Sequence, residues 1–150
     1  MKLVIQRVKN ASVTIDGNIH GKINKGYMIL VGLKNEDTKE IVEKMAMKVS
    51  KLRIFTDEED KMNLNLAQVN GSILSISQFT LYADCHKGNR PSFSLAGNPA
   101  IAEPLYLYFN DCLRNLGFCV EEGIFGADMK VELLNDGPVT IILDSDEVIR

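Results

Sequence analysis

An uninterrupted apolar run early in the chain constrains the fold more than any other feature of the sequence. The run extends from Tyr27 to Leu33 and contains no charged residue. A strand with one face in water would alternate apolar and polar residues, so this run predicts a strand that is buried on both faces. Such a strand needs hydrogen-bonded neighbours and apolar cover on both sides, which a sheet with packed layers supplies.

Alternating strand patterns surround this run. Leu3 and Ile5 recur at a two-residue spacing, Ala11, Val13 and Ile15 alternate with polar residues, and Ile19 to Ile23 is expected to return as the next strand. Between the last two stretches lies Asp16-Gly17-Asn18, a sequence typical of a hairpin turn. The first third of the chain is therefore predicted to form hairpin-connected strands.

More strands are predicted downstream. Arg53 to Phe55 is expected to re-enter the sheet, and Ser72 to Thr80 has a strand pattern after an Asn-Gly turn. The last third adds three strands, which are predicted at Phe118–Glu121, Met129–Leu134 and Val139–Leu143.

Two helices are predicted between these strands. Asp37 is a candidate N-cap for the first, and Glu40 completes a capping-box-like pair with it. The second begins near Asn98, where Pro99 suits the first helical position, and Gly117 is its candidate C-cap. The predicted apolar stripes are Ile41, Met45, Val49 and Leu52 in the first helix, and Ile101, Leu105, Tyr108, Cys112 and Leu116 in the second.

A chain of 150 residues is long enough to bury one hydrophobic core. We therefore expect a single domain, residues 1–150, of the α+β class, with a curled or barrel-like, mostly antiparallel sheet and two covering helices. No apolar run approaches the roughly 20 residues of a membrane span, and the N-terminal run is broken too early for a signal peptide. These observations predict a cytoplasmic protein with no membrane partner.

The charge balance excludes a broadly basic nucleic-acid-binding surface, because the formal net charge is −3 and the pI is near 5.4. One loop is an exception, since His86, Lys87 and Arg90 concentrate positive charge around Gly88. The loop is either simply solvated or a contact for RNA phosphates. A protein that grips only the end of an RNA needs few such contacts.

The sequence predicts no metal and no cofactor. Cys85, Cys112 and Cys119 form no Cys-x-x-Cys pair and have no metal-binding spacing with either histidine. The acidic run from Asp57 to Asp60 lacks spaced ligands and is interpreted as a solvated face.

Candidate chemistry lies in the segment Ser77-Gln78-Phe79-Thr80, which brings hydroxyl, amide and backbone N–H groups to a strand end. Thr80 is either an ordinary strand-end threonine or a hydroxyl placed near an ester or amide carbonyl. The sequence offers no base with an orienting partner, so a Ser/His/Asp-like triad is not supported. Phe79 and Thr80 can still supply backbone N–H groups to an oxyanion hole, each worth roughly 3–4 kcal/mol.

A second candidate segment is Asn135-Asp136-Gly137-Pro138-Val139-Thr140. Gly137-Pro138 is either an ordinary turn or a cis X-Pro bond. A Gly-Pro pair brings carbonyl oxygens close to a ligand without a side chain in the way, and rigid backbone can crowd one substituent direction at an α-carbon. This property suits a site that selects by stereochemistry.

A series of short segments carries a family resemblance over essentially the whole chain. The segments are Gln6-Arg7-Val8, Ala11-Ser12-Val13, Leu52-Arg53-Ile54-Phe55, Lys61-Met62-Asn63, Ser77-Gln78-Phe79-Thr80-Leu81-Tyr82-Ala83-Asp84, Lys87-Gly88, Arg90-Pro91-Ser92-Phe93, Ala102-Glu103-Pro104-Leu105-Tyr106, Phe125-Gly126-Ala127-Asp128-Met129 and Asn135-Asp136-Gly137-Pro138-Val139-Thr140. Each segment is weak alone, but in this order and spacing they closely resemble the D-aminoacyl-tRNA deacylases.

The resemblance implies an enzyme that hydrolyses the ester between a D-amino acid and the 3′-terminal ribose of tRNA, a proofreading step in translation. Glycyl-tRNA is an implied substrate, and L-aminoacyl-tRNA is rejected. The family forms homodimers in which Ser77 to Thr80 line the pocket of one subunit, while Gly137-Pro138, in the cis form, enters from the other. Arg7 resembles the family residue that holds this dipeptide in place, and Phe125 and Met129 resemble residues of the adjacent pocket wall.

Two mechanisms remain open. Either the Thr80 hydroxyl attacks the ester, or backbone N–H groups hold the carbonyl while the 2′-OH of the substrate helps to activate water. The missing base favours the second. Lys87 and Arg90 are the expected phosphate contacts at the acceptor end of tRNA, although Cys85-His86 and Asn89 depart from the family pattern and imply a weaker grip.

Two other function classes compete with the deacylase. One is a nucleic-acid-binding module that keeps the fold without catalysis, and the intact Ser77–Thr80 and Gly137–Pro138 segments argue against it. The other is an amidase or esterase that acts on free D-amino-acid derivatives, which would not need the Lys87 and Arg90 loop.

Overall fold

The computed structural model describes residues 1–149, and it confirms the α+β prediction with a nearly closed, barrel-like mixed sheet. The strands are β1 (Lys2–Ile15), β2 (Asn18–Ile23), β3 (Gly26–Gly32), β4 (Phe55–Thr56), β5 (Met62–Leu64), β6 (Ser72–Ser77), β7 (Val120–Glu122) and β8 (Lys130–Asp144). The helices are α1 (Lys39–Lys51), a 3₁₀ helix (Phe79–Tyr82), α2 (Pro99–Asn115) and α3 (Ser145–Val148).

The main sheet is organised around β1. It pairs antiparallel with β2, β3 and β8, whereas β3–β6 and β6–β7 are parallel pairs. The order β2-β1-β3-β6-β7 brings β2 round to β7, where Gly21 faces Glu121 and Glu122. A Cβ at Gly21 would lie 3.3 Å from the Glu121 Cβ, so this glycine lets the two edges approach.

The predicted doubly buried strand is confirmed as β3, which lies between β1 and β6 with all residues but Leu30 buried. Its two faces enter separate cores. Helices α1 and α2 cover the core that includes Leu3, Ile5, Ile29, Val42, Met45, Tyr106 and Phe109. The inside of the curled sheet holds the smaller core of Val8, Ala11, Val13, Ile23, Met28, Leu74 and Ile76.

The start of α1 differs from the prediction. Thr38 is the N-cap, and its hydroxyl accepts the Ile41 N–H at 3.3 Å. Asp37, the predicted cap, is buried instead and accepts a hydrogen bond from the Met1 ammonium at 2.7 Å and from the Lys34 N–H at 2.8 Å. The carboxylate therefore neutralises a buried charge and leaves capping to its neighbour.

Helix α2 begins as predicted, because Asn98 caps it by accepting the Ala100 N–H and Pro99 is its first residue. The predicted stripe was wrong at its two ends, because Ile101 and Leu116 are exposed. It was confirmed between them, since Leu105 is buried and Tyr108 and Cys112 pack against the core. The buried residues are Ala102, Leu105, Tyr106, Phe109, Asn110 and Leu113. Apolar residues occur on both sides of this helix, and the sequence pattern alone does not decide which side faces the sheet.

Three strand predictions were also wrong in their pairing or extent. Arg53–Phe55 does not re-enter the main sheet, because Phe55 and Thr56 pair with β5 in a separate two-stranded sheet. The Asp57 carboxylate at its turn accepts the N–H groups of Glu59 and Lys61 and the Asn63 side-chain amide. Part of the acidic run thus stabilises its own hairpin.

The strands predicted at Met129–Leu134 and Val139–Leu143 are one strand, β8, whose pairing with β1 is interrupted at residues 136–139. These four residues bulge out of the strand and are called the β8 loop below. Thr80 is likewise not on a strand, since β6 ends at Ser77 and Thr80 lies in the 3₁₀ helix. The four-residue helix α3 was not predicted. No helix within residues 1–149 combines the length and apolarity that a membrane crossing requires.

The ion pair between the Met1 ammonium and Asp37 is fully buried, with both groups at 0% side-chain exposure, and Ser145 Oγ accepts a second hydrogen bond from the ammonium at 2.9 Å. Removing one partner of such a pair leaves an uncompensated charge, which typically costs 3–5 kcal/mol. We expect Asp37→Ala to lower the free energy of unfolding by about 3–5 kcal/mol in urea titrations.

Glu36→Ala is the matched control, because Glu36 is the exposed neighbouring carboxylate. It should change the free energy of unfolding by less than about 0.5 kcal/mol. Equal losses in the two variants would contradict a special role for the buried pair.

Candidate active site

A cavity of about 750 Å³ opens where β6 gives way to the 3₁₀ helix. Its walls come from β3 and the end of β6, the segment before α2, the first turn of α2, and the segment that leads into β8. Cavities that hold small organic ligands have volumes of about 300–1,000 Å³, so this one is large enough for a substrate.

Five of the predicted site residues line this cavity. They are Ser77, Gln78, Phe79, Phe125 and Met129. They come from two segments far apart in the chain, which the sheet brings together. Met129 fits because Gly123 has no side chain: a Cβ at Gly123 would lie 2.4 Å from the Met129 sulfur.

Thr80 lies just outside the lining, with an exposed side chain. Its hydroxyl oxygen accepts a hydrogen bond from Gln78 Nε2 at 2.5 Å. Within residues 1–149 no imidazole or carboxylate is hydrogen-bonded to this hydroxyl. The arrangement therefore gives the hydroxyl no base that would activate it as a nucleophile.

The start of the 3₁₀ helix leaves backbone donors free at the cavity edge. Gln78 is fixed to β3 because its N–H donates to the Val31 carbonyl at 2.8 Å. The N–H groups of Phe79 and Thr80 find no acceptor among the described residues, as is usual for the first turn of a helix. Two adjacent free donors can bind a carbonyl oxygen that becomes negatively charged.

A side chain of α2 is hydrogen-bonded to β6, the strand that leads to these donors. The Tyr106 hydroxyl donates to the Ser75 carbonyl at 2.7 Å. Burial raises the pKa of the Tyr106 phenol, so the group stays protonated and remains a donor at neutral pH. This bond fixes β6 two residues before Ser77.

The sequence did not predict one wall of the cavity, which contains Asn35 and Gly97. Asn35 Oδ1 accepts the Asn98 N–H at 2.7 Å, and the Gly97 N–H donates to the Leu33 carbonyl at 2.8 Å. A Cβ at Gly97 would lie 3.1 Å from that carbonyl oxygen, so a larger residue would push the wall outward. The local signals, a glycine before an N-cap and an asparagine in a loop, carry no information about this contact.

Aromatic side chains form the rim. Phe79 and Phe93 meet edge to face with ring centroids 5.0 Å apart, and 55% and 38% of their respective surfaces are exposed. Edge-to-face pairs of this kind are favourable. Exposed aromatic rings beside a cavity are typical of a surface that stacks on a flat ligand or packs on a partner.

Gly137 and Pro138 lie on the exposed loop of β8 and, like Arg7, do not line the cavity of their own chain. The peptide bond between them is cis. Arg7 is 8% exposed, and its guanidinium donates from Nε to the Asp136 carbonyl at 2.8 Å and from an Nη to the Ile54 carbonyl at 2.7 Å. The guanidinium thus ties the loop to the segment that precedes β4.

Gly137 has φ +143°, a value that favours glycine. A Cβ there would lie 2.7 Å from Val139 Cγ2 and 3.1 Å from Arg7 Nη2. The loop geometry therefore requires a residue without a side chain at this position.

The basic loop is a separate feature. Asp84 and Ser92 exchange two backbone hydrogen bonds, of 2.7 and 2.8 Å, which close a loop that carries Lys87 and Arg90 in exposed positions. Neither cation forms an ion pair with any residue in the described part of the chain. No group of three potential metal ligands occurs among residues 1–149.

Comparison with known proteins places the chain in a family. The profile of the D-Tyr-tRNA(Tyr) deacylase family matches residues 4–144. A D-aminoacyl-tRNA deacylase of Brevibacillus brevis is 55% identical over 97% of this chain and 100% of its own length. One of Lactobacillus acidophilus is 57% identical over 96% and 99%.

Two solved structures have a similar fold. A c-Myc DNA unwinding element binding protein is 41% identical and superposes with a TM-score of 0.90 over 96% of this chain and 98% of its own. A probable eukaryotic D-amino acid tRNA deacylase, at 16% identity, shares the fold with a TM-score of 0.82 over 95% and 97%. The chain belongs to the D-Tyr-tRNA(Tyr) deacylase family.

Proposed function

We propose that this protein hydrolyses the ester between a D-amino acid and the 3′-terminal ribose of tRNA, and that it rejects L-aminoacyl-tRNA. Family membership supports the reaction class. The observation that carries the proposal is the pair of free backbone N–H groups, those of Phe79 and Thr80, at the edge of a cavity large enough for a terminal nucleoside. The proposed site of action is the cytoplasm, where tRNA is charged.

The substrate enters with its 3′ end. The cavity of about 750 Å³ accommodates the terminal nucleoside and the ester, and its apolar walls around Phe125 and Ala102 suit a flat base. Lys87 and Arg90 contact the phosphates of the preceding nucleotides, which neutralises charge without requiring a basic protein. The D side chain makes no selective contact, so many amino acids are accepted.

Hydrolysis proceeds by addition of water to the ester carbonyl carbon. The N–H groups of Phe79 and Thr80 stabilise the oxyanion that forms on the carbonyl oxygen. The bond from this carbon to the 3′ oxygen then breaks, the 3′ oxygen takes up a proton, and the D-amino acid leaves as its carboxylate. No residue in the range 1–149 supplies a base to the Thr80 hydroxyl, so water is the attacking group in this proposal and the substrate 2′-OH assists it.

Chirality selection requires a second copy of the chain. In the proposed homodimer Gly137 and Pro138 enter the cavity of the partner, and their exposure outside the cavity of their own protomer supports this. Their backbone crowds the side of the α-carbon on which an L side chain would lie. A glycyl ester has no such side chain and is accepted.

The direct test is single-turnover hydrolysis of matched D-tyrosyl-tRNA and L-tyrosyl-tRNA by the purified protein without added metal. We expect rapid release from the D ester and release near the uncatalysed rate from the L ester. Binding without release from either ester would favour the nucleic-acid-binding module. Equal release would mean that Gly137 and Pro138 do not select chirality.

Thr80→Ala distinguishes the two mechanisms, because it removes the hydroxyl and keeps the backbone N–H. We expect the single-turnover rate on D-tyrosyl-tRNA to stay within about tenfold of wild type, since loss of a true nucleophile typically costs a thousandfold or more. A collapse of that size would assign the attack to the hydroxyl. Ser50→Ala removes a hydroxyl from α1, outside the cavity lining, and is the control that should keep the wild-type rate.

Lys87→Ala with Arg90→Ala tests the tRNA contact. We expect a higher KM and a salt dependence of log KM that is flatter by about 0.7 per lost phosphate contact, with little change in kcat. Lys48→Ala with Lys51→Ala, which removes two exposed cations from α1, should leave both quantities unchanged. An unaltered KM in the loop variant would favour an esterase acting on free D-amino-acid derivatives.

A further inference from the structure

The loop that carries Gly137 and Pro138 leaves β8 at a defined break in the sheet. In the pairing of β1 with β8, Val8 lies opposite Asn135 and Gln6 lies opposite Thr140. Arg7 alone therefore faces the four residues 136–139, which bulge out of the strand. The two ends of the loop, Asn135 and Thr140, form its neck.

The side-chain amide of Asn135 closes this neck. Its Oδ1 accepts the Val139 N–H at 2.8 Å, and its Nδ2 donates to the Val139 carbonyl at 3.4 Å and to Thr140 Oγ1 at 3.3 Å. One amide thus pairs with both backbone groups of Val139, as a neighbouring strand would do. Gln6 Nε2 also donates to Thr140 Oγ1, at 3.4 Å, which links the neck to β1.

Arg7 and Asn135 hold opposite ends of the loop. Arg7 binds the Asp136 carbonyl on the entering side, and Asn135 binds Val139 on the leaving side, where the Val139 side chain is buried. Between them Gly137 and Pro138 are exposed, and no side chain in residues 1–149 donates a hydrogen bond to either. Their position relative to the sheet therefore depends on these two anchors.

We propose that Asn135 is a positioning residue that sets the preference for D over L substrates, an inference that rests on the proposed deacylase function. Asn135 does not line the cavity, and it acts by fixing where Gly137 and Pro138 project. Exclusion of an L side chain depends on close contact with the backbone of this loop. A displacement of about 1 Å in such a site can change a reaction rate by about a hundredfold. Loosening the neck admits the L ester while the N–H groups of Phe79 and Thr80 keep their places.

The test compares single-turnover hydrolysis of D-tyrosyl-tRNA and L-tyrosyl-tRNA by wild type, Asn135→Ala and Asn135→Asp. We expect the D-to-L rate ratio to fall by about tenfold or more in Asn135→Ala. Asn135→Asp keeps an acceptor for the Val139 N–H and loses the donor, so its ratio should lie between those of wild type and Asn135→Ala. The uncatalysed rate is subtracted from each, and the fall in the ratio must come from a faster L rate, because a smaller active fraction lowers the D rate alone.

Asn65→Ala is the matched control, because Asn65 Oδ1 also accepts a backbone N–H, that of Gln68 at 3.0 Å, outside the cavity and the loop. Its ratio should equal that of wild type. Sedimentation of each variant beside wild type checks that its assembly state is the same.

The outcomes separate the two proposals. A wild type that discriminates, together with an unchanged ratio in Asn135→Ala, would overturn the role of Asn135 alone. An equal fall in Asn65→Ala would also overturn it, because general loosening would then explain the result. A wild type that hydrolyses neither ester, or both equally, would overturn the proposed function and this inference with it.

Discussion

The register of β1 is the constraint on which the rest of the structure depends. Its first half pairs with β3 and its second half with β2, while β8 follows it along nearly its whole length. Leu3 and Ile5 enter the core under the helices, whereas Ala11 and Val13 enter the core inside the curled sheet. Successive side chains of a strand point to opposite faces, so odd-numbered residues all share one face unless a bulge shifts the register between them. That irregular stretch is also where β8 releases its loop.

Local features of the fold could be predicted from the sequence, and features set by distant residues could not. The buried strand β3, the Asp16–Asn18 turn and the start of α2 each follow from neighbouring residues. The burial of Asp37 depends on Met1, and the continuity of β8 depends on β1. No pattern within a short window contains that information.

The same contrast between local features and contacts with distant residues applies to the candidate site. Motif resemblance identified Ser77, Gln78 and Phe79, which line the cavity, because short segments carry a recognisable order. The cavity wall at Asn35 and Gly97 could not be predicted, because its hydrogen bonds join a loop after β3 to the start of α2. The cavity and the β8 loop are held by separate sets of contacts, so the part proposed for chemistry and the part proposed for selection can vary independently.

The donors at the cavity edge belong to the main chain, and this has a consequence for genetic analysis. Replacing the side chain of Phe79 or Thr80 leaves the peptide N–H in place, so most substitutions at these positions do not delete the group itself. Proline is the exception, because it has no N–H to donate. An alanine scan removes side chains only, so it would not detect the N–H donors of such a site. A proline scan would detect them, because it removes the N–H groups themselves.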